Sequence, residues 1–222
     1  MSRGVFITFE GSEGCGKSTQ VVRLAARLEQ AGIRTLVTRE PGGTAIGEKI
    51  RDLLQFAPES FAMTPETELL LFEASRSQLV REVIAPALGQ GTAVISDRFF
   101  DSTTVYQGVA RKLPPEIVQT LNAFAIGDAQ PDVTFILDVD VETARKRMLR
   151  RVRPVEVKDR MEQEPIEFYE RVCAGYSELA RREPNRFIVI DGTQSADAIE
   201  LQTWNTFSDR FPRFLPPDQS KI

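Results

Sequence analysis

Gly11, Gly16, Lys17 and Ser18 stand in the order Gly-x-x-x-x-Gly-Lys-Ser, between an apolar run and a segment of helical period. Residues of these types at this spacing can hold phosphate. The glycines let successive backbone N–H groups turn inward around phosphate oxygens. A helix starting near Lys17 aims the positive end of its dipole at the same point. Lys17 supplies a cation for the β and γ phosphates of a nucleoside triphosphate, and Ser18 a hydroxyl for Mg²⁺. The expected P-loop is therefore Gly11, Ser12, Glu13, Gly14, Cys15, Gly16, Lys17, Ser18 and Thr19. A glycine turn with a surface lysine is the bland alternative, and the strand-loop-helix setting speaks against it.

Further chemistry-bearing residues follow. Asp97 falls at the C-terminal end of an expected strand, where open α/β sheets bind ligands. A carboxylate there can hold Mg²⁺ through water. Arg98 can donate two parallel hydrogen bonds to a phosphate monoester. An Asp-Arg pair bridging surface charges is the competing reading. Phe72 and Arg76 are four apart and share a helix face. There a ring could stack on a base while a guanidinium bonds its edge, although a plain core position is the commoner fate of such a Phe. No Asn-Lys-x-Asp guanine-reading motif is present, which argues against a GTPase, and 222 residues are few for an ATPase motor. A kinase acting on a small acceptor fits best.

Such residues converge only if strands and helices bring them together. Five short runs rich in Val, Ile and Phe, at Val5–Phe9, Thr35–Val37, Ala93–Ile95, Val133–Leu137 and Phe187–Ile190, predict strands covered on both faces. Helical period predicts helices over Lys17–Ala31, Thr64–Leu88, Pro115–Ile126, Val141–Arg151, Pro165–Arg182 and Ala196–Phe211. Alternating strands and helices predict a three-layer α/β/α fold around a five-stranded parallel sheet, in a single domain over residues 1–222. The Pro-rich end, about residues 212–222, is expected to lie loosely on the surface.

Composition limits the function classes. Hydrophobic residues at 41% and charged residues at 27% predict a folded core. A net charge of −4 argues against a general nucleic-acid binder. Two cysteines and no histidine argue against a disulfide framework or zinc cluster and exclude a histidine triad. No apolar run has the length of a membrane span. An expected strand by Val5 leaves no room for a signal peptide. A cytoplasmic protein with no membrane partner is expected.

The run from Val94 to Gly108 resembles the signature of the thymidylate kinases through Asp97, Arg98, Phe99, Ser102, Val105, Tyr106 and Gln107. "TREPGGT" at Thr38–Thr44, "GEKIR" at Gly47–Arg51 and "LLLFEASRSQLV" at Leu69–Val80 are similar to the same family, in its order and spacing. The resemblance runs from about Val5 to Asp191. It implies a P-loop kinase that makes dTDP and ADP from dTMP and ATP with Mg²⁺, as a homodimer, in dTTP synthesis. It implies that Phe72 stacks on thymine, that Arg76 and Gln107 bond the base, and that Tyr106 lies beneath the sugar. Arg51 and Arg98 match the two arginines on the acceptor phosphate. Glu13, Glu40 and Thr103 join the acceptor site, Glu13 reaching the sugar's 3′-hydroxyl. Ser75 and Leu79 depart from the family, which often has Asp and His there. Another nucleoside monophosphate or deoxynucleoside kinase, or a silent nucleotide-binding regulator, are the competing functions. The EPGGT run with Phe72, Arg76 and Tyr106-Gln107 speaks against the first, and intact Lys17, Ser18 and Asp97 against the second.

The variable part of the P-loop, "SEGC", carries no basic residue. In this family the missing charge comes from a mobile lid, which here would be Lys146–Glu164. It holds Arg147, Arg150, Arg151, Arg153, Lys158 and Arg160, of which Arg151 and Arg153 are the favoured catalytic residues beside Lys17 and Arg98. A solvated basic face is the alternative for each one taken singly.

Overall fold

Runs of Val, Ile and Phe too short for helices become strands in the computed structural model, which describes residues 3–57, 60, 62–149 and 160–215. Strands β1 (Phe6–Glu10), β2 (Thr35–Arg39), β3 (Ala93–Asp97), β4 (Val133–Asp138) and β5 (Phe187–Asp191) lie parallel in the order β2-β3-β1-β4-β5. Every strand runs one or two residues beyond its apolar run, always at the C-terminal end. The added residues are Glu10, Thr38, Arg39, Ser96, Asp97, Asp138 and Asp191. The register sets Phe9 beside Asp97 and Asp97 beside Arg39, so these polar ends meet along one edge of the sheet.

Successive strand residues face opposite sides. Ile7, Phe9, Ile95 and Phe135 pack on one side against Leu24 and Leu28 of α1 (Lys17–Gln30). In α9 (Ala196–Arg210), Ile199 and Phe207 join the same cluster. Phe6 and Val94 face the other side, against Leu79, Ile84 and Phe99. Ile136 there meets Val105, Phe168 and Val172. The tail differs from expectation over its first residues. Phe214 and Leu215 pack on the α1–α9 cluster, because that cluster still offers apolar surface to chain leaving α9. Residues 216–222 lie outside the described ones.

The remaining helices carry the site. α2 (Ala45–Gln55) was not among the expected helices; Thr44 caps it by accepting a bond from the Gly47 N–H at 2.9 Å. α3 (Pro65–Leu79) runs through a π-helical turn, Val80–Ile84, into α4 (Ala85–Gly89). Pro86 accounts for the turn, since its ring crowds the carbonyl four residues back and it has no N–H to give. A short α5 (Phe100–Thr103) continues as a π-helix, Thr104–Ala110, followed by α6 (Pro115–Ile126). α7 (Val141–Leu149) and α8 (Ile166–Arg182) flank residues 150–159, which lie outside the described ones.

Candidate active site

The loop between β1 and α1 is held by two close approaches. A Cβ on Gly11 would lie 2.6 Å from the Leu137 carbonyl oxygen, and one on Gly14 would lie 2.5 Å from that of Ala144. Both glycines also have positive φ, +131° and +78°, which side chains disfavour. The Lys17 ammonium folds over its own loop and donates to the carbonyls of Gly11 at 3.0 Å and Ser12 at 2.8 Å. Cys15 is buried beneath it, with its sulfur 3.5 Å from the ammonium. Ser18 Oγ donates to Asp97 Oδ2 at 2.5 Å, joining the loop to the end of β3.

Beside this loop lies a cavity of about 210 Å³ between the carboxyl edge of the sheet and helices α2, α3 and the π-helix. Lys17, Ser18, Asp97 and Arg98 line one end, and Phe72, Thr103 and Gln107 are also in its wall. Arg51 lines it while donating to the Pro41 carbonyl at 3.0 Å. Arg39, which the sequence reading left unassigned, adds a third guanidinium.

Arg98 is held unusually firmly. Its φ of +70° is a left-handed backbone, which costs a non-glycine residue about 1–2 kcal/mol. Its N–H donates to the Phe9 carbonyl and its own carbonyl accepts from Ser96 Oγ. The guanidinium donates to Glu13 Oε1 at 2.8 Å, Ser102 Oγ at 2.9 Å and Tyr106 Oη at 3.2 Å. Tyr106 in turn donates to Glu13 Oε2 at 2.7 Å, so Glu13 turns toward Arg98 and Tyr106 rather than to the loop's own N–H groups.

Under Arg98 sits Glu10, which the sequence reading missed. It is fully buried and accepts from the Phe99 N–H at 2.7 Å, Ser102 Oγ at 2.6 Å and Tyr176 Oη at 2.8 Å. Burial pushes its carboxyl up, aided by nearby Asp101 and opposed by Arg98. Its only sequence signal is an acid closing an otherwise apolar strand.

Phe72 and Arg76 share a face as expected, but only Phe72 lines the cavity. Arg76 is 1% exposed. Its N–H groups donate to Glu40 at 2.9 Å, Glu73 at 2.7 Å, Asn122 at 3.3 Å and Thr103 at 2.9 Å. Glu40 and Thr103 line the cavity in front of it. One guanidinium serves two buried carboxylates here. Burial outweighs Arg76 at Glu40 and pushes its carboxyl up to about 7. Ser75 and Leu79 give Arg76 no polar support; Ser75 Oγ accepts from the Gly42 N–H at 3.1 Å, and Leu79 is core.

The basic run is only partly described. Arg150, Arg151, Arg153 and Lys158 lie outside the described residues. Arg147 donates to the Gly192 carbonyl at 2.8 Å. Arg160 is turned away from the P-loop, onto Glu68 and the Leu54 carbonyl.

A family model described as thymidylate kinase matches residues 9–202. The chain is 48% identical over 212 residues to a thymidylate kinase of Geobacter sulfurreducens, covering 95% of this chain and 99% of the relative. It is 52% identical over 190 residues to one of Desulfosudis oleivorans, covering 84% and 88%. The crystal structure of thymidylate kinase from Ehrlichia chaffeensis superposes with a TM-score of 0.73 at 35% identity, covering 92% of this chain and 99% of that one.

Proposed function

The chain belongs to the thymidylate kinase family, and from that membership we propose how its cavity performs the family's reaction. That reaction moves the γ-phosphoryl group of ATP to dTMP, giving dTDP and ADP. The observation that carries the assignment of residues is the joining of the Gly-rich loop, through Ser18 and Asp97, to a cavity walled by Phe72, Gln107, Arg51 and Arg98.

ATP takes the loop Gly11–Thr19, with its β and γ phosphates on Lys17. Lys17 then gives up its bonds to the loop carbonyls. Cys15 Sγ lies under Lys17 and serves packing more than binding. dTMP takes the cavity, its base against Phe72, its sugar by Tyr106 and Glu13, and its phosphate on Arg98 and Arg51. Every N–H of Arg76 is engaged, so it reaches a base carbonyl only by sharing an N–H with Thr103, and otherwise holds Glu40 and Thr103 in place.

A phosphate monoester has a second pKa of about 6 and is close to a dianion at neutral pH. Its oxygen attacks the γ-phosphorus without a base, so catalysis is alignment and charge stabilisation. Arg98 and Arg51 hold the attacking phosphate against the repulsion of the triphosphate. Ser18 Oγ and Asp97 Oδ2 are hard oxygen donors in contact, which suits Mg²⁺. Among the described residues no cluster of three His, Cys, Asp or Glu could hold a metal unaided, so phosphate oxygens and waters would complete its shell. When bound it would neutralise phosphate charge. Arg151 and Arg153 are proposed to stabilise the transferring group; the support is the absence of a basic residue in Ser12–Cys15.

We further propose one kinase domain with a lid over about residues 146–164, a cytoplasmic location and a homodimer. No helix among the described residues is long and apolar enough to cross a membrane. The dimer is supported by exposed apolar side chains on two touching helices: Leu70 on α3, and Ile117 and Phe124, two turns apart, on α6. The test of function is ADP release with ATP and Mg²⁺ over a panel of dTMP, dUMP, UMP, CMP and AMP. dTMP should lead the panel; equal rates on all five would refute the base assignments.

A further inference from the structure

We propose that Glu68 fixes which end of the Gln107 amide faces the cavity, and thereby selects an acceptor base that offers an N–H at its pairing edge. The inference rests on the reading of this cavity as the dTMP site.

An amide side chain has one accepting end and one donating end of nearly the same shape. Something must therefore decide how Gln107 is turned. Gln107 is 1% exposed and lines the cavity. Its Nε2 lies 2.6 Å from Glu68 Oε1. Glu68 is itself 1% exposed, on α3. Arg111 approaches it at 3.3 Å on Oε1 and 3.1 Å on Oε2, and Arg160 is paired with Oε2. Burial alone would raise the Glu68 carboxyl; Arg111 and Arg160 outweigh it and hold it below its ordinary range. Glu68 is thus ionised, and an ionised carboxylate only accepts. The amide has to give it the NH₂ end.

The carbonyl end remains for the ligand. Among the described residues nothing donates to Gln107 Oε1. Thymine and uracil carry a hydrogen on N3 and can donate to this oxygen. Cytosine carries a bare lone pair at N3, and a carbonyl facing it repels. A site built to take a hydrogen bond rejects the analogue that lacks the donor far more sharply than an apolar wall does. Glu68 does not line the cavity, so it is a positioning residue that acts through Gln107.

The test compares kcat/KM for dUMP and dCMP, which share the sugar and lack the methyl group, so that their ratio reports the base edge. In Glu68→Gln the new amide can donate or accept, and Gln107 is free to turn. The dUMP:dCMP ratio should fall about tenfold, while KM for ATP stays put. A uniform loss on both substrates with the ratio kept means Glu68 is only structural, and overturns the proposal. Glu68→Gln leaves two arginines facing a neutral group, so it could unfold. Glu68→Asp keeps the charge and withdraws it by one methylene; its ratio should fall at least about threefold, and an unchanged ratio in the folded protein overturns the proposal equally. Gln107→Leu separates the two layers. If it leaves the ratio intact, the base assignment of Gln107 is wrong and the proposal falls with it. If it lowers the ratio while both Glu68 variants do not, the base assignment stands and Glu68 is dismissed.

Discussion

At Lys17 the ammonium holds two carbonyls of its own loop, bonds that it would exchange for phosphate in the proposed triphosphate site. Lys17→Ala should fold normally and lower turnover by roughly 10²-fold or more, since one preorganised electrostatic donor contributes about that much. Wild-type turnover in the purified variant would refute the placement of the triphosphate. Glu10 makes a different demand. It never reaches the cavity, yet it accepts from Ser102 and Tyr176, both of which Arg98 also bonds. Glu10→Gln turns one accepting oxygen into a donor inside that group. Hydrogen bonds to a charged group contribute about 1.5–3 kcal/mol, so KM for dTMP should rise about tenfold or more. KM for ATP should hold, and steady-state kinetics with each substrate varied in turn reads both values. A rise confined to ATP would detach Glu10 from Arg98.

Between elements, the contact that positions Tyr106 and Gln107 is the approach of α8 to the π-helix through Gly175. A Cβ there would lie 3.0 Å from Val105 Cγ1. Gly175→Val forces the two helices apart, and overpacking of this kind costs about 1–3 kcal/mol. The π-helix carries Tyr106 and Gln107 of the proposed acceptor site and no P-loop residue. KM for dTMP should therefore rise several-fold, a modest fraction of the range that repositioning can cost, with ATP binding intact by calorimetry. Equal losses for both substrates would mean the strain spreads into the sheet. Thr103, the last residue of α5, and Tyr106 and Gln107, three and four residues further on in the π-helix, all line the cavity.

For the whole molecule, Glu40 ties stability to pH. Its carboxyl lies near 7 in the fold against an ordinary 4.5. Between those values the folded chain keeps a proton that the unfolded chain has released. The resulting stability is fully present below about 4.5 and is lost as pH rises through about 7. At about 1.4 kcal/mol per unit the loss is at most ~3.5 kcal/mol. Glu40→Gln does not titrate, so the wild-type advantage over it in urea unfolding should shrink from pH 4.5 to 7.5; a constant difference would show that Glu40 stays ionised throughout. The proposed dimer is tested on the same scale. Phe124→Asp places a charge on a side chain that is 74% exposed in one chain. Light scattering should report a monomer, and an unchanged dimer would remove α6 from the interface.

Much of this was legible in the sequence because its causes are local. The strands follow from short β-branched and aromatic runs, and the P-loop from glycines whose backbone no other residue adopts easily. What neighbours in the chain could not show was how far each strand runs. Glu10, Arg39 and Asp97 look like the start of loops, yet ladder bonds from adjacent strands carry them into the sheet and align them along its edge. α2 had a local signal as well, since Ile46, Ile50, Leu53 and Leu54 stand at helical spacing, although only Gly47 and Leu54 are buried in the fold. Phe72 and Arg76 share a helix face by sequence alone. Packing decided that the ring meets the cavity while the guanidinium sinks behind it, because buried Glu40 and Glu73 need a cation and Arg76 pairs with both. The same holds for Glu10 under Arg98 and Glu68 behind Gln107: a buried charge takes its partners from whatever elements the fold brings around it.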